Sequence, residues 1–341
     1  MSESPSSSRR PTMRDVARAA GVSPALVSIV FREAAGASPR TREKVFATAR
    51  SLGYVRDERA RGLRSLQRDS IGITFRLDQP FQAAVVAGVY DAVNLAAHPI
   101  VTSPTSETRD EEEALSDLIA NRCGAVIVLS SRLPADRLAR IADDLPVVSI
   151  ARTVDAPRVD WVASDERGGI RLAVDHLVEL GHRDIVYLSD TGSAGGPERL
   201  EGFHDAVLAA GIRDSARAVG AGRTEDAGSA ATLRLLDAGR LPTAIVGFND
   251  RCALGVIDTL IRRGVRVPDE VSVVGFDDSE VAARSMIRMT SVRQDPIALA
   301  RAAAERVMLR VGPGGGDLPA AGIVKPTSLT VRSTTAPPRV R

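Results

Sequence analysis

The chain has 341 residues, of which 44% are hydrophobic, 26% are charged and only 3% are aromatic. This composition is typical of a globular protein with two or three domains, and it excludes disorder of the whole chain. The longest apolar runs fall far short of the roughly 20 residues that a membrane-spanning helix needs. Residues 1–11 lack the apolar stretch of a signal peptide, and the two isolated cysteines suit neither a disulfide framework nor a metal knuckle. We therefore expect a cytoplasmic protein without a metal ion or a cofactor.

Positive charge is concentrated at the start of the chain. Residues 1–68 contain 14 Arg and Lys against 6 Asp and Glu, whereas the remaining residues contain 31 against 37. A basic head on a mildly acidic body is typical of a protein whose head meets a polyanion. A solvated basic tail is the alternative, but these charges are interleaved with a periodic apolar pattern, which favours a folded surface.

Three short helices are predicted between residues 12 and 53. Thr12 and Asp15 have the spacing of a capping box at the start of the first helix, and Gly21 is suited to end it in a left-handed conformation. Ser23-Pro24 and Ser38-Pro39 then have the pattern of helix starts, with a capping hydroxyl followed by proline in the first turn. Two short helices joined by a tight turn that contains glycine form a helix-turn-helix.

The segment from Thr12 to Ser28, followed by Thr41-Arg-Glu-Lys-Val45 and Leu52-Gly-Tyr54, resembles the headpiece of the lactose-repressor family. The match has no gap over residues 12–54. Members of this family are transcription regulators that bind palindromic operators as dimers. The resemblance therefore implies double-stranded operator DNA as a partner and a homodimer as the working form.

The resemblance also implies which residues contact DNA. Contacts to phosphate groups are expected from hydroxyl-bearing residues, namely Thr12, Ser23, Ser28, Ser38, Thr41 and Tyr54. Pro24, Ala25 and Ile29 occupy the positions that read base edges, where apolar side chains can touch thymine methyl groups but cannot make a bidentate hydrogen bond. Arg32 is the nearest polar candidate for a contact with a base or a phosphate. Core packing is the alternative for Ile29, although helical periodicity favours exposure because the neighbouring valines supply the inward face.

Residues 55–65 resemble the hinge helix of the same family, which implies a hinge over about residues 58–68. In relatives this segment folds on the operator and inserts a leucine into the minor groove, and Leu63 lies at that position with Ala60 one turn before it. An apolar wedge at a base step kinks the duplex and gains further contacts. A plain flexible linker is the alternative that the composition also allows.

From residue 69 onward, short β-branched runs alternate with amphipathic stretches. The runs predict strands near 71–75, 99–103, 125–129, 147–150, 185–189, 244–248 and 271–276. The amphipathic stretches predict helices near 81–96, 110–121, 167–180, 197–210, 225–238, 250–263 and 295–311. This alternation is typical of an α/β fold with parallel doubly wound sheets.

The same region resembles the periplasmic-binding-protein-like core of the lactose-repressor family, which implies two lobes and chain crossings near 163, 292 and 323. The expected fold is a small all-α helix-turn-helix domain followed by this two-lobed α/β core. The expected segments are a disordered tail (1–11), a DNA-binding headpiece (12–57), a hinge (58–68), a core (69–336) and a second tail (337–341). The N-lobe would cover about 69–162 and 293–322, and the C-lobe about 163–292 and 323–336.

Polar residues follow three predicted strands at the edge where parallel sheets bind ligands. Asn249 follows the strand at 244–248, Asp277 follows the strand at 271–276, and Arg199 begins the helix after the strand at 185–189. Amide, carboxylate and guanidinium groups suit a polyhydroxylated ligand because each can make two hydrogen bonds. The alternative is that these side chains only cap turns or helices.

The family resemblance implies an effector site formed by Phe81, Asp165, Arg199, Asn249, Asp277 and Gln294. Phe81 could stack on a sugar ring. Asp165 and Gln294 lie near the crossings, where a structural role is the alternative.

Together these patterns predict a repressor of a carbohydrate catabolic operon, whose operator affinity is controlled by a sugar or derivative bound between the lobes. No Gly-x-Ser-x-Gly or His-Glu-x-x-His motif occurs, so no enzyme is predicted. The helix near 81–96 is a candidate dimer face, and residues 334–341 lack a heptad repeat for a tetramerising coiled coil. The alternatives are effector-independent DNA binding and solute binding without gene regulation.

Overall fold

The computed structural model describes residues 11–31, 36–52, 54, 70–93 and 98–339. The chain divides into two compact units, residues 1–66 and 67–341. Most of the predicted tail and all of the predicted hinge lie outside the described residues. Within the described ranges, no helix has the length and apolar character needed to span a membrane.

The first unit contains three helices, α1 (Met13–Ala20), α2 (Pro24–Phe31) and α3 (Pro39–Ser51). The predicted capping box is confirmed, because the Thr12 N–H donates to Asp15 Oδ2 at 2.8 Å. Gly21 ends α1 with a φ of 64°, a conformation that glycine adopts without strain. The Leu26 N–H donates to Ser23 Oγ at 3.1 Å. All three predicted helix starts are therefore present.

The helices of the first unit enclose a small core of Val and Ala side chains. Its buried members are Val16, Ala17, Ala20, Val27, Val30, Val45 and Ala49. Small alanines on α1 allow the helices to approach closely, so a few branched residues are enough to fill the interior. Phe31 and Tyr54 cover one side, with their ring centroids 5.8 Å apart.

The second unit alternates strands and helices along its whole length. Its first part contains β1 (Ile71–Arg76), α4 (Pro80–Ala92), β2 (Ile100–Thr105), α5 (Glu111–Ala120), β3 (Ala125–Leu129), α6 (Ala135–Ala142), β4 (Val147–Ile150) and β5 (Val159–Ser164). Its middle part contains α7 (Glu166–Glu179), β6 (Ile185–Ser189), α8 (Gly196–Ala209), β7 (Arg217–Gly220), α9 (Glu225–Asp237), β8 (Ala244–Val246), α10 (Asp250–Arg262) and β9 (Ser272–Asp277). Its last part contains α11 (Glu280–Ala283), β10 (Thr290–Arg293), α12 (Pro296–Val311), β11 (Gly322–Lys325) and β12 (Ser328–Thr330).

These strands form two six-stranded sheets, one in each lobe of the second unit. The first sheet has the order β11-β5-β4-β3-β1-β2, and all of its pairs are parallel. The second has the order β12-β10-β9-β8-β6-β7, in which only β12 runs antiparallel to its neighbour. Helices cover these sheets, so the central strands are buried as expected for a doubly wound fold, whereas the edge strands β2, β7, β11 and β12 are partly exposed. The predicted fold class is confirmed.

The chain crosses between the sheets three times, after β5, after β10 and after β11. The crossings lie at residues 165, 294–295 and 326–327. They are two to three residues later than the positions near 163, 292 and 323 that the family resemblance implied. Each of these strands completes its pairing within its own sheet before the chain leaves.

The prediction missed five strands and two helices. The missed strands are β5, β7, β10, β11 and β12, and the missed helices are α6 and α11. Most of these elements are short, and β5 carries the buried carboxylate of Asp160 at its second position. A charged residue interrupts the apolar run by which a buried strand is recognised, and only the tertiary structure supplies the arginines that neutralise it.

Helix α4, the candidate dimer face, packs much of its apolar surface inside its own lobe. Val85 and Val89 are buried in the core of the first sheet. A Cβ on Gly88 would lie 2.8 Å from Cβ of Ala300 on α12, so the two helices are in close contact. The exposed face of α4 presents Ala87 and Tyr90.

Candidate functional site

Several of the predicted DNA-contacting residues of the first unit lie at the starts of its helices. Ser23, Pro24 and Ala25 are exposed at the start of α2. Ser38 is exposed before α3 and accepts a hydrogen bond from the Thr41 N–H at 3.2 Å. Helix starts present unpaired amide groups and the positive end of the helix dipole, both of which suit phosphate oxygens.

The remaining headpiece predictions are only half-exposed or are not described. Thr12, Ser28, Ile29, Thr41 and Tyr54 are half-buried. Ile29 lies between two fully buried valines and keeps part of its surface accessible. Three predicted contacts, Arg32, Ala60 and Leu63, lie outside the described residues.

The headpiece also carries exposed positive charge. Its exposed basic side chains are Arg14, Arg18, Arg40, Lys44 and Arg50. Arg18 has one weak ion pair, in which its Nη1 atom is 3.8 Å from Asp15 Oδ1. Such charges attract a phosphate backbone independently of its sequence.

In the second unit a cavity of about 70 Å³ lies between the strand ends of the two sheets. Five of the six predicted effector residues line it, namely Phe81, Arg199, Asn249, Asp277 and Gln294. Asp165 does not line the cavity. Its exposed carboxylate instead caps α7 by accepting the Gly168 N–H at 2.9 Å.

Arg199 is the central cation of the cavity. Its Nε atom donates to Glu166 Oε2 at 2.6 Å, and its Nη1 atom donates to the carbonyl of Phe248 at 2.7 Å. Its guanidinium stacks on the Phe276 ring at 3.7 Å from the centroid. Burial works against a charge here, but the carboxylate of Glu166, which accepts the Nε–H, outweighs it and raises the pKa of Arg199. The guanidinium therefore stays charged, and among the described residues its Nη2 atom has a single contact, at 4.0 Å from Asp277 Oδ1.

Asp277 and Gln294 form a second polar pair in the cavity. The Gln294 Nε2 atom donates to Asp277 Oδ1 at 2.7 Å, while Gln294 Oε1 is buried and has no partner among the described residues. Burial raises the pKa of Asp277, and the nearby carboxyl of Asp250 raises it further, against the effect of Arg199. A carboxyl group in its neutral form can donate a hydrogen bond as well as accept one.

Asn249 has both a structural role and a place at the cavity. Its Oδ1 atom accepts the Cys252 N–H at 2.9 Å and so caps α10, which leaves the amide NH₂ for a ligand. Asp250, which follows Asn249, and Asp278, which follows Asp277, have structural roles. Asp250 is buried and accepts from Ser279 and Ser291, and Asp278 pairs with Arg332.

The structure places further residues at the cavity beside the predicted effector residues. They are Arg76, Gln79, Gln82, Ser130, Arg132, Ala151, Glu166, Ser193, Ala194, Arg223 and Phe248. The strand-end rule, applied to β1 and β3 as well as to the later strands, would have indicated Arg76, Ser130 and Arg132. In the part of the chain that is described, no group of three or more metal-ligating side chains is placed to hold an ion.

Comparison with known protein families gives two matches. A family model described as "Bacterial regulatory proteins, lacI family" matches residues 12–57. A second model, "Periplasmic binding protein-like domain", matches residues 174–335.

Individual relatives are similar over nearly the whole chain. The HTH-type transcriptional regulator GalR of Escherichia coli (strain K12) is 34% identical over 299 residues, which cover 86% of this chain and 87% of GalR. A structure of the lac repressor dimer bound to operator and the anti-inducer ONPF has 26% identity and a TM-score of 0.79, covering 96% of this chain and 100% of that one. A complex of the transcriptional regulator CelR with cellobiose has 31% identity and a TM-score of 0.69, covering 95% of this chain and 100% of that one.

Proposed function

The chain belongs to the lacI family of bacterial regulatory proteins, and on this premise we propose that it is a repressor of a carbohydrate catabolic operon. It is a DNA-binding transcriptional regulator, and the relatives named above are regulators rather than enzymes. We propose that a sugar or sugar derivative in the cleft between the two lobes controls its affinity for the operator. The protein would act as a homodimer in the cytoplasm.

The observation that carries this proposal is the convergence of partly unsatisfied polar groups at the strand ends of two lobes. Arg199 Nη2, the Asp277 carboxyl and Gln294 Oε1 offer donors and acceptors to vicinal hydroxyl groups. Phe81 provides an aromatic wall beside them. CelR, which shares this fold, holds cellobiose in its complex.

In the proposed mechanism the ligand acts through the separation of the two lobes. Contacts already cross the cleft, since Arg251 Nη1 donates to the carbonyl of Asp78 at 2.5 Å and Thr153 Oγ1 donates to Glu198 Oε1 at 3.0 Å. A ligand that binds the closed arrangement more tightly would shift the population toward it. Two headpieces of a dimer would then change their fit to half-sites one helical turn apart.

The proposed division of labour follows the predicted segments. Residues 12–57 would bind the operator, residues 58–68 would form the hinge with Leu63 as the minor-groove wedge, and residues 69–336 would bind effector and dimerise. The exposed face of α4 that carries Ala87 and Tyr90 is the proposed dimer contact.

Fluorescence anisotropy with the full chain tests this function. A fragment from upstream of the gene should bind more tightly than random duplex at physiological salt, and at least one member of a panel of neutral and anionic sugars that includes cellobiose should change that affinity. Arg199→Lys should abolish the sugar response and leave operator affinity within about twofold, because Lys cannot replace the fork of guanidinium contacts. Arg262→Gln, at an exposed pair on α10, is the matched control. Operator binding with no response to any sugar would instead support effector-independent regulation.

A further inference from the structure

Three arginines, contributed by both lobes, line the cleft close to one another. Arg76, Arg132 and Arg223 border both the 70 Å³ cavity and an adjoining cavity of about 650 Å³. Arg76 ends β1 and Arg132 follows β3 in the first sheet, whereas Arg223 follows β7 in the second. The three guanidinium groups thus come from both lobes.

Two of these arginines reach the same loop of the second lobe. The Arg223 Nη1 atom donates to Ser193 Oγ at 3.1 Å. The Arg132 Nη2 atom lies 3.8 Å from the position that a Cβ on Gly192 would occupy. Both positive charges are therefore held near residues 192–193.

The carboxylates nearby neutralise this cluster only in part. Arg76 makes a bidentate pair with Asp78, with both distances at 2.9 Å. The Asp190 carboxylate closest to Arg223 is 3.9 Å away and already accepts from Ser193 Oγ at 2.6 Å. The Arg132 side chain makes no ion pair with any residue that the structure describes.

Arg223 has an unused donor inside the cleft. Its Nε atom is buried and has no hydrogen-bond partner among residues 98–339 or the other described ranges. Burial and the positive charges of Arg76 and Arg132 both lower the pKa of Arg223. A buried donor without a partner is costly, and an incoming acceptor with negative charge would remove that cost.

Acidic groups that line the larger cavity are mostly engaged elsewhere. Asp110 caps α5, and Glu112 pairs with Arg137 at 2.8 Å. Glu111 Oε2 accepts the backbone N–H of Arg132 at 2.8 Å, while its Oε1 atom is buried and unpartnered among the described residues. That oxygen can accept a hydrogen bond from a ligand hydroxyl group. The cleft therefore combines the positive charge of the three arginines with nearby acceptors for hydroxyl groups.

As a refinement that rests on the function proposed above, we propose that the effector is a polyhydroxylated molecule carrying an oxyanion, either a phosphate ester or a carboxylate. The oxyanion binds between Arg132 and Arg223, because the planar fork of a guanidinium matches the geometry of both anions. The hydroxyl-bearing part binds at Arg199, Asp277 and Gln294. The adjoining 650 Å³ cavity gives room for a ligand longer than a single sugar ring.

Phosphorus NMR of inorganic phosphate with the full chain tests the anion site. At constant ionic strength, phosphate should bind saturably, and its dissociation constant should rise at least about tenfold in Arg132→Gln and in Arg223→Gln because each loses a charge-assisted hydrogen bond. Arg262→Gln should bind phosphate as the wild type does. An unchanged melting temperature verifies that each variant is folded. Absence of saturable binding would overturn the proposal. Equal binding in all three variants would also overturn it, because the phosphate would then bind elsewhere, for example at the headpiece.

Displacement of the bound phosphate identifies the source of the oxyanion. Glucose 6-phosphate represents a phosphate ester, glucuronate represents a sugar acid, and glucose is the neutral control. The proposal expects one of the two anions to displace phosphate at least about tenfold more effectively than glucose does, because only the anions meet the guanidinium groups. Failure of both to exceed glucose would overturn it.

The outcome also separates this inference from the proposed function. A failed phosphate experiment combined with a neutral sugar that still changes operator affinity would remove only the anion site. An intact anion site combined with no ligand effect on operator affinity would instead remove the regulatory function.

Discussion

Asp277 combines two features that are unusual for an ordinary structural residue. Its carboxyl group is nearly buried, and its backbone has a φ of 111°, followed by a φ of 50° at Asp278. Ser130 and Ala151, which also line the cavity, have φ values of 49° and 59°. Left-handed backbone at non-glycine residues costs on the order of 1–3 kcal/mol each and is concentrated at ligand sites. The strain at the strand ends is thus consistent with a site that binds a ligand.

The raised pKa of Asp277 predicts a specific pH dependence of stability. In the folded state Asp277 keeps a proton that it releases at about pH 4 in the unfolded chain. The free energy of unfolding therefore falls as pH rises from about 4 through the neutral range. Asp277→Asn removes this titration. We expect urea denaturation to show a smaller loss of stability between about pH 5 and pH 8 in the variant than in the wild type. Identical pH slopes would contradict a proton on Asp277.

At the scale of single residues, sequence reasoning located the cavity better than it assigned its side chains. Arg199, Asn249 and Asp277 followed from the strand-end rule. Asp165 was predicted from the family resemblance, whereas its neighbour Glu166 lines the cavity, because the sequence does not show which of two adjacent carboxylates turns inward. That choice is made by Arg199, which lies 33 positions further along the chain and pairs with Glu166.

At the scale of elements, one buried carboxylate joins three parts of the first lobe. Asp160 on β5 accepts from Arg310 at 2.8 and 2.9 Å and from Arg306 at 3.1 Å, both on α12. It also accepts the Ala321 N–H just before β11 at 2.8 Å. Burial alone would raise the pKa of Asp160, but the hydrogen bonds from Arg310 and Arg306 outweigh it and hold the pKa below its usual value.

Asp160→Asn should therefore destabilise the core strongly. The substitution leaves two arginines without their counter-charge, one of them with a side chain only 3% exposed, and breaking such a pair costs about 3–5 kcal/mol. The exposed pair between Asp136 and Arg140 provides the control, since Asp136→Asn should cost no more than about 1 kcal/mol. Chemical denaturation measures both. Equal effects of the two substitutions would show that the buried cluster adds nothing to stability.

The distinction between local pattern and tertiary contact explains which elements the sequence predicted. Long amphipathic helices such as α10 and α12 and apolar strands such as β3 were placed within a few residues, because their periodicity is local. Strand β5 was missed because its stability depends on arginines about 150 positions away. Strands β11 and β12 have only four and three residues and exist because a neighbouring strand is present to pair with them.

At the scale of the whole molecule, a basic DNA-binding unit and a polar cleft occur in one chain with separate electrostatic demands. The headpiece would meet phosphates at exposed side chains, where salt competes directly, whereas the side chains of Arg199 and Asp277 in the cleft are only 5% and 12% exposed. We expect operator affinity to fall on the order of a thousandfold between about 50 and 200 mM salt, as for a protein with several phosphate contacts. Anisotropy titrations at a series of salt concentrations measure this slope. A slope near zero would argue against phosphate contacts by the headpiece.

The regulatory claim is tested most directly by a complete linkage cycle. Operator affinity is measured with and without a saturating ligand, and the affinity for that ligand is measured with and without operator. Because coupling between two sites is reciprocal, both ratios must be equal, and we predict a common factor of at least about five. Two ratios equal to one, with both ligand and operator bound, would contradict control of DNA binding from the cleft.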